Sequence, residues 1–185
     1  PYLNRIEVKP GDVYLIPAKT VHAIGAGCLL LEVQEPTDFT IQPEYWCGDY
    51  ELNSFEMYLG LNKNTALDCF DYDKYGPEVS AAAKKQPRVL EERDGYTAEQ
   101  LIGAEDTPCF RVFRHRLDRS AAPLASCPSL YIVTAGNGSL AGENYVRDIR
   151  KGDYFFMPAA AKGLYSVHSP GELQLIECAA SNKIR

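Results

Sequence analysis

Chemistry has few footholds in this chain. Of its 185 residues only three are histidines, His22, His115 and His168. One of them stands in a regular frame: Gly11, five residues, Pro17, four residues, His22. A glycine that permits a tight turn, a proline that ends an extended run and an imidazole just beyond it can present a neutral ring nitrogen to a metal ion or a substrate. A lone histidine in apolar surroundings is more often structural, so His22 carries no conclusion by itself. Glu32 lies ten residues further on, in the next strand-like run, where a carboxylate can take or give a proton. The plainer reading of Glu32 is a solvated strand carboxylate. Gln42, ten residues beyond Glu32, offers hydrogen bonds but no charge. His115, between Arg114 and Arg116, reads as an exposed strand edge of mixed charge, and His168, in Ser-Val-His-Ser-Pro, as a loop residue. Tyr45-Trp46 could stack on a sugar, although twelve tyrosines make aromatic packing the default.

The elements that must position these side chains are mostly strands. Arg5 to Val8, Val13 to Ile16 and Cys28 to Val33 are short apolar or alternating runs bounded by Gly, Pro or Lys-Thr. From Pro108 onward the pattern returns as Phe110 to Leu117, Ser129 to Thr134, Tyr145 to Ile149, Tyr154 to Met157 and Leu173 to Cys178, with a tight glycine turn expected at Gly136 to Gly138. Between them, Asn53 to Leu61, Thr65 to Phe70 and Pro77 to Lys85 are helical candidates, and Thr97-Ala98-Glu99-Gln100 fits a capping box. Short, evenly punctuated strands predict a mainly β fold, a sandwich or barrel, interrupted by a helical connector.

An internal repeat orders the chain. Arg5 to Ala18 parallels Val146 to Ala159 in register, an offset of 141 residues, and both copies contain Gly-Asp followed by an apolar run and Pro-Ala. The second copy is preceded by further strands and the first is not. If each copy is half of a barrel, residues 1–42 are the second half of one barrel, 43–103 a helical connector, and 104–185 a complete second barrel. In that second copy Gly163 takes the place of His22, so the second barrel is expected to hold no metal. Pro1 is not an initiator methionine, and the chain is expected to be trimmed from a longer one.

Composition narrows the partners. A hydrophobic fraction of 45% supports a packed core, and no apolar run reaches the roughly 18 residues of a membrane-spanning helix. A formal net charge of −6 opposes a nucleic-acid partner, which calls for concentrated Lys and Arg. The six cysteines are widely spaced with no C-x-x-C pair, which predicts free thiols and a cytoplasmic setting.

The frame around His22 matches the second half of the two-part metal signature of cupins, except that the customary asparagine four residues later is Ala26. The string from Ile16 to Gly27, with Leu30 to Ile41 and then Ala66-Leu67-Asp68-Cys69-Phe70-Asp71-Tyr72, resembles the type I mannose-6-phosphate isomerases, and in particular their short bacterial branch. That resemblance implies cupin (jelly-roll) architecture and interconversion of mannose 6-phosphate and fructose 6-phosphate. It further implies one zinc ion, with His22 as the last of its ligands and a Gln, another His and a Glu lying before residue 1. A proton must then move between C1 and C2, and a metal can stabilise the enediolate oxygen. Glu32 matches an acid of the same pocket and is assigned to proton transfer. Gln42 falls where members of the family carry a catalytic Arg; a neutral amide cannot replace that charge, which leaves Lys19 or Arg5 as substitutes, or a weaker enzyme. Self-association through the open edge of residues 1–42 is expected. The competing interpretations are a non-catalytic carbohydrate-binding or regulatory cupin whose metal site has decayed, and an accessory cupin domain of a pyrophosphorylase or epimerase.

Overall fold

The computed structural model describes residues 4–35, 37, 39–124 and 128–181, and the chain divides into two compact units, 1–84 and 85–185. In the first unit the chain runs β1 (Val13–Tyr14), β2 (Trp46–Cys47), β3 (Tyr50–Glu51), α1 (Ser54–Tyr58), α2 (Lys63–Leu67) and α3 (Pro77–Ala83), with β4 (Lys84–Lys85) at the boundary.

The helices start where the local chemistry dictates. The Asn53 side-chain oxygen accepts from the N–H groups of Phe55 (2.9 Å) and Glu56 (3.1 Å), and the Glu56 carboxylate accepts in return from the Asn53 N–H at 2.9 Å. This reciprocal cap satisfies donors that the first turn otherwise leaves orphaned. Asn62 caps α2 through the Thr65 N–H at 3.0 Å, and Pro77 opens α3 behind Gly76. Ile41, Met57, Tyr58 and Ala66 form the buried centre, with Leu52, Leu67 and Phe70 against it.

Before Ile41 the ladders expected at Arg5 to Val8 and Cys28 to Val33 are not formed; among the described residues only Val13–Tyr14 is a strand. A strand exists by pairing, and among the described residues these runs have no neighbour to pair with. Their apolar side chains stay in water, with Leu29 at 97% exposure.

The second unit continues with β5 (Arg88–Arg93), β6 (Tyr96–Ile102), β7 (Phe110–Asp118), β8 (Ala121–Pro123), β9 (Ser129–Gly142), β10 (Tyr145–Arg150), β11 (Tyr154–Met157), β12 (Tyr165–His168) and β13 (Glu172–Ala180). They form one antiparallel sheet in the order β5-β6-β7-β13-β9-β12-β8, with β10 and β11 also on β9. The sheet curls, because side chains from its distant strands meet in one core: Tyr96 of β6, Ala122 of β8, Ile149 of β10 and Val167 of β12 join Tyr131, Val133 and Leu175. The architecture is mainly β, as expected.

Two elements differ from the sequence pattern. Thr97 to Gln100 is not a helix start but part of β6, paired with both β5 and β7. Tyr96 and Ala98 face the core, and ladder pairing overrides the capping-box pattern. Nor does the chain turn back at Gly136. β9 runs through it, pairing with β11 and β13 before this point and with β10 and β12 after it. Gly136 has φ 72°, and a β-carbon there would strike the carbonyl of Glu172. The glycine bends a continuous strand from one half of the curled sheet to the other.

Of the six cysteines, Cys28, Cys47, Cys69, Cys109 and Cys178 are free, and Cys127 lies outside the described residues. No helix among the described residues is long and apolar enough to cross a membrane.

These glycines separate strain from collision. Gly152 also has a positive φ, 96°, but a β-carbon there meets nothing within 4 Å. Gly152→Ala is expected to cost about 1–2 kcal/mol of backbone strain and to fold. Gly136→Ala must move the β13 backbone and is expected to lose cooperative unfolding in a urea titration followed by circular dichroism. Equal, mild losses for both would contradict the strand-bending role of Gly136.

Candidate functional site

The two copies of the repeat share a backbone. In the first, the Asp12 N–H donates to the Lys9 carbonyl at 3.0 Å and the Asp12 carboxylate accepts from the Lys9 N–H at 3.1 Å. In the second, the Asp153 N–H donates to the Arg150 carbonyl at 2.9 Å and its carboxylate accepts from the Arg150 N–H at 3.0 Å. Gly11 and Gly152 hold φ of 91° and 96°. Six residues later each copy turns again: the Thr20 N–H reaches the Pro17 carbonyl at 3.3 Å, and the Ala161 N–H reaches Pro158 at 2.9 Å. The Lys84 ammonium, 2.9 Å from Asp12, holds that carboxyl below its usual range, assisted by the Lys9 N–H.

His22 lies just beyond this second turn and is exposed. Lys19, inside the turn, has φ 70°, an unusual conformation for a side chain with a β-carbon. The His22 Nδ1 lies 2.8 Å from the Thr20 carbonyl oxygen. A carbonyl only accepts, so Nδ1 carries the proton, and in the neutral ring the lone pair is then on Nε2. That is the state in which a histidine ligates a metal or accepts a proton.

Glu32 and Gln42 are exposed, and no hydrogen bond or ion pair joins either to His22 among the described residues. Gln42 is anchored through its backbone, whose N–H donates to the Met57 carbonyl at 2.9 Å beside the buried Ile41. No three His, Cys, Asp or Glu side chains converge as a metal site among the described residues. Tyr45 and Trp46 do not pack into a core; they are 50% and 49% exposed, with ring centroids 5.4 Å apart.

The second unit holds a polar chain that residue types alone did not reveal. His115 is not on an exposed edge. It lies in β7 between β6 and β13, with its side chain 15% exposed. Its Nε2 is 2.9 Å from the Glu177 carboxylate and its Nδ1 is 2.9 Å from the Tyr96 hydroxyl. Glu177, 1% exposed, also accepts from the Ser129 hydroxyl at 2.8 Å. Burial pushes the Tyr96 phenol up to about 12, with the charge of Glu91 adding to it, so the phenol keeps its proton and donates to Nδ1. Nε2–H is then left to donate to Glu177. Strand parity was the available signal. Glu177 shares its phase in β13 with the buried Leu173 and Leu175, and His115 shares its phase in β7 with Leu117. His168, read as a loop residue, ends β12 and meets the Ser166 hydroxyl at 2.9 Å.

The second unit is a curled antiparallel sheet, and its neighbours among solved structures include cupins. In sequence the chain is similar to mannose-6-phosphate isomerases, matching their C-terminal part. Mannose-6-phosphate isomerase ManA of Bacillus subtilis is 31% identical over 158 residues, 84% of this chain and 46% of that protein. Mannose-6-phosphate isomerase of Streptococcus mutans is 28% identical over 176 residues, 94% of this chain and 50% of that protein. The chain thus spans about half the length of the curated relatives it matches. No family model matches. Among solved structures, a cupin superfamily protein of Desulfitobacterium hafniense aligns with 50% of this chain and 84% of its own, at TM-score 0.41 and 12% identity. The EutQ protein of Clostridium difficile aligns with 48% of this chain and 69% of its own, at TM-score 0.42 and 13% identity.

Two predictions concern the second unit. Tyr96→Phe removes the donor to His115 and is expected to destabilise the chain by about 1–3 kcal/mol in urea unfolding, because a buried acceptor loses its partner. No loss would place the hydroxyl outside the chain of bonds. Glu99 lies 2.7 Å from Arg114 and 3.2 Å from Arg116; the Arg114 hydrogen bond holds its carboxyl below the usual range against the opposing effect of burial. Because the folded value is depressed, this contribution is complete above the unfolded value of about 4.3 and is lost as pH falls through the folded value. Glu99→Gln is therefore expected to cost about 3–5 kcal/mol at neutral pH and to flatten the acid limb of the stability curve. An unchanged acid limb would show that another carboxylate carries it.

Proposed function

We propose that this chain is the C-terminal portion of an enzyme that interconverts mannose 6-phosphate and fructose 6-phosphate by moving a proton between C1 and C2 of the open-chain sugar. The observation that carries the reading is its homology to proteins named mannose-6-phosphate isomerases over most of its length. In this reading Glu32 transfers the proton, and the Gln42 amide orients a substrate oxygen without supplying charge.

The residues described do not form a zinc site on their own. Zinc takes three or four protein ligands, and His22 provides one imidazole. His22, with Nε2 unprotonated, is proposed as one member of a zinc-binding set completed by residues outside this chain.

The isolated 185-residue chain is expected to contain far less than one zinc per molecule by atomic absorption and to show no isomerase activity; stoichiometric zinc would contradict the shared site. In a full-length enzyme containing this portion, His22→Ala is expected to abolish both zinc content and turnover, while His168→Ala leaves both nearly intact. His115→Ala is expected to lower the melting temperature without removing zinc. Retention of zinc and activity by His22→Ala would overturn the assignment.

A further inference from the structure

The mouth of the curled sheet in the second unit opens into a groove of about 610 Å³, a size suited to a small molecule. Its walls are unusually aromatic for an exposed surface: Tyr145, Tyr154, Phe155, Phe156 and Tyr165 line it together with Arg147. Tyr154 and Phe156 are 71% and 63% exposed. The remaining rings are fixed by their neighbours. Tyr145 and Tyr165 stand edge-to-face at 5.8 Å and 86°, and Phe155 stacks on the buried Tyr131 at 5.2 Å.

Arg147 is the cation of this lining. It pairs across the ladder with Leu140, whose side chain is buried in the core, so both residues occupy the sheet face that the groove enters. Several other basic groups of this unit are engaged: Lys85 with Asp106, Arg93 with Glu91, Arg114 and Arg116 with Glu99, Arg119 with Asp118. Arg147 makes no ion pair or side-chain hydrogen bond among the described residues. A guanidinium left unpaired beside aromatic faces suits a ligand that has both an anionic group and a flat apolar face. The three tyrosine hydroxyls add hydrogen-bonding handles around an apolar floor. With a net charge of −6 the chain has no general pull on anions, and Arg147 is the cation that lines the groove.

The internal repeat points to the same place. Gly163 is the counterpart of His22, and it lies between the lining residues Ala161 and Tyr165. The position that carries an imidazole in the first copy is bare in the second, between two residues that line the groove.

We propose that this groove is a second ligand site, separate from His22, that binds a monosaccharide phosphate: the sugar ring lies against the tyrosines and Arg147 takes the phosphate. The proposal rests on the isomerase reading for its choice of probe. The test is calorimetric titration of the 185-residue chain with mannose 6-phosphate, mannose and inorganic phosphate. Mannose 6-phosphate is expected to bind at least tenfold more tightly than either mannose or phosphate. Arg147→Gln, exposed and unpaired and so expected to fold, should weaken it at least tenfold, Tyr154→Ala at least threefold, and His22→Ala not at all. Absence of binding to the wild type, equal affinity for inorganic phosphate, or an unchanged Arg147→Gln would each overturn the proposal. So would loss of binding in His22→Ala with retention in Arg147→Gln, which would put the sugar phosphate at the first site. Binding that depends on Arg147 in a full-length enzyme without isomerase activity would support this site while removing the catalytic reading.

Discussion

The second unit is organised by the pairing of β9. This one strand hydrogen-bonds to β10, β11, β12 and β13, two partners along its first half and two along its second. Such double use demands that the strand change direction without ending, since a true turn would cost it its ladder bonds on both sides. Gly136 makes this possible by combining a left-handed φ with the absence of a β-carbon against the Glu172 carbonyl. The curl, the enclosed face and the mouth at its rim all depend on that bend.

The same constraint accounts for the contrast between the two repeats. Their Gly-Asp turns match bond for bond, which shows that the turn is a local object, specified by a glycine at positive φ and a carboxylate that caps its own turn. The conformation of the next residues is not set locally. Tyr154–Met157 becomes a strand because β9 offers it an edge, whereas Leu15 finds only the Ala83 carbonyl and the ladder stops after Val13–Tyr14. Similar patterning gives a strand in one case and an extended, solvated run in the other, so the deciding term is the neighbour rather than propensity.

Legibility from sequence divides along this line. Features set within a few residues were readable: the Gly-Asp turns, the helix start at Asn53, and the strands expected at Phe110, Tyr154 and Leu173, while the second helix begins at Lys63, ahead of the Thr65 the pattern suggested. Features that depend on which strand lies alongside were not. Thr97 to Gln100 satisfies a helical cap pattern and yet sits in a ladder, and Cys28 to Val33 is as apolar as any strand and yet has no ladder partner among the described residues. For the site, the frame of Gly11, Pro17 and His22 was legible because it is a backbone motif. The Tyr96–His115–Glu177–Ser129 chain was hidden because its members come from four places far apart in sequence and are assembled only by register. Parity within β7 and β13 would have exposed His115 and Glu177 singly, as polar residues in phase with buried leucines, but not the partnership.

That partnership bears on what the interior can do. A carboxylate that is 1% exposed is tolerable only when its oxygens are satisfied, and here Ser129 and His115 satisfy it while Tyr96 fixes the imidazole. Tyr96, His115, Glu177 and Ser129 are therefore committed to one another. Recognition of a ligand has to come from groups that this network leaves open, and Arg147 in the groove lining is one of them. The first copy of the repeat makes the opposite use of the same backbone. Just past its second turn stands His22 with Nδ1 tied to the Thr20 carbonyl, which leaves Nε2 as the ring nitrogen that could ligate. One repeated turn is thus followed by an imidazole in the first copy and by a bare glycine in the second, where the groove takes its aromatic lining from β10, β11 and β12.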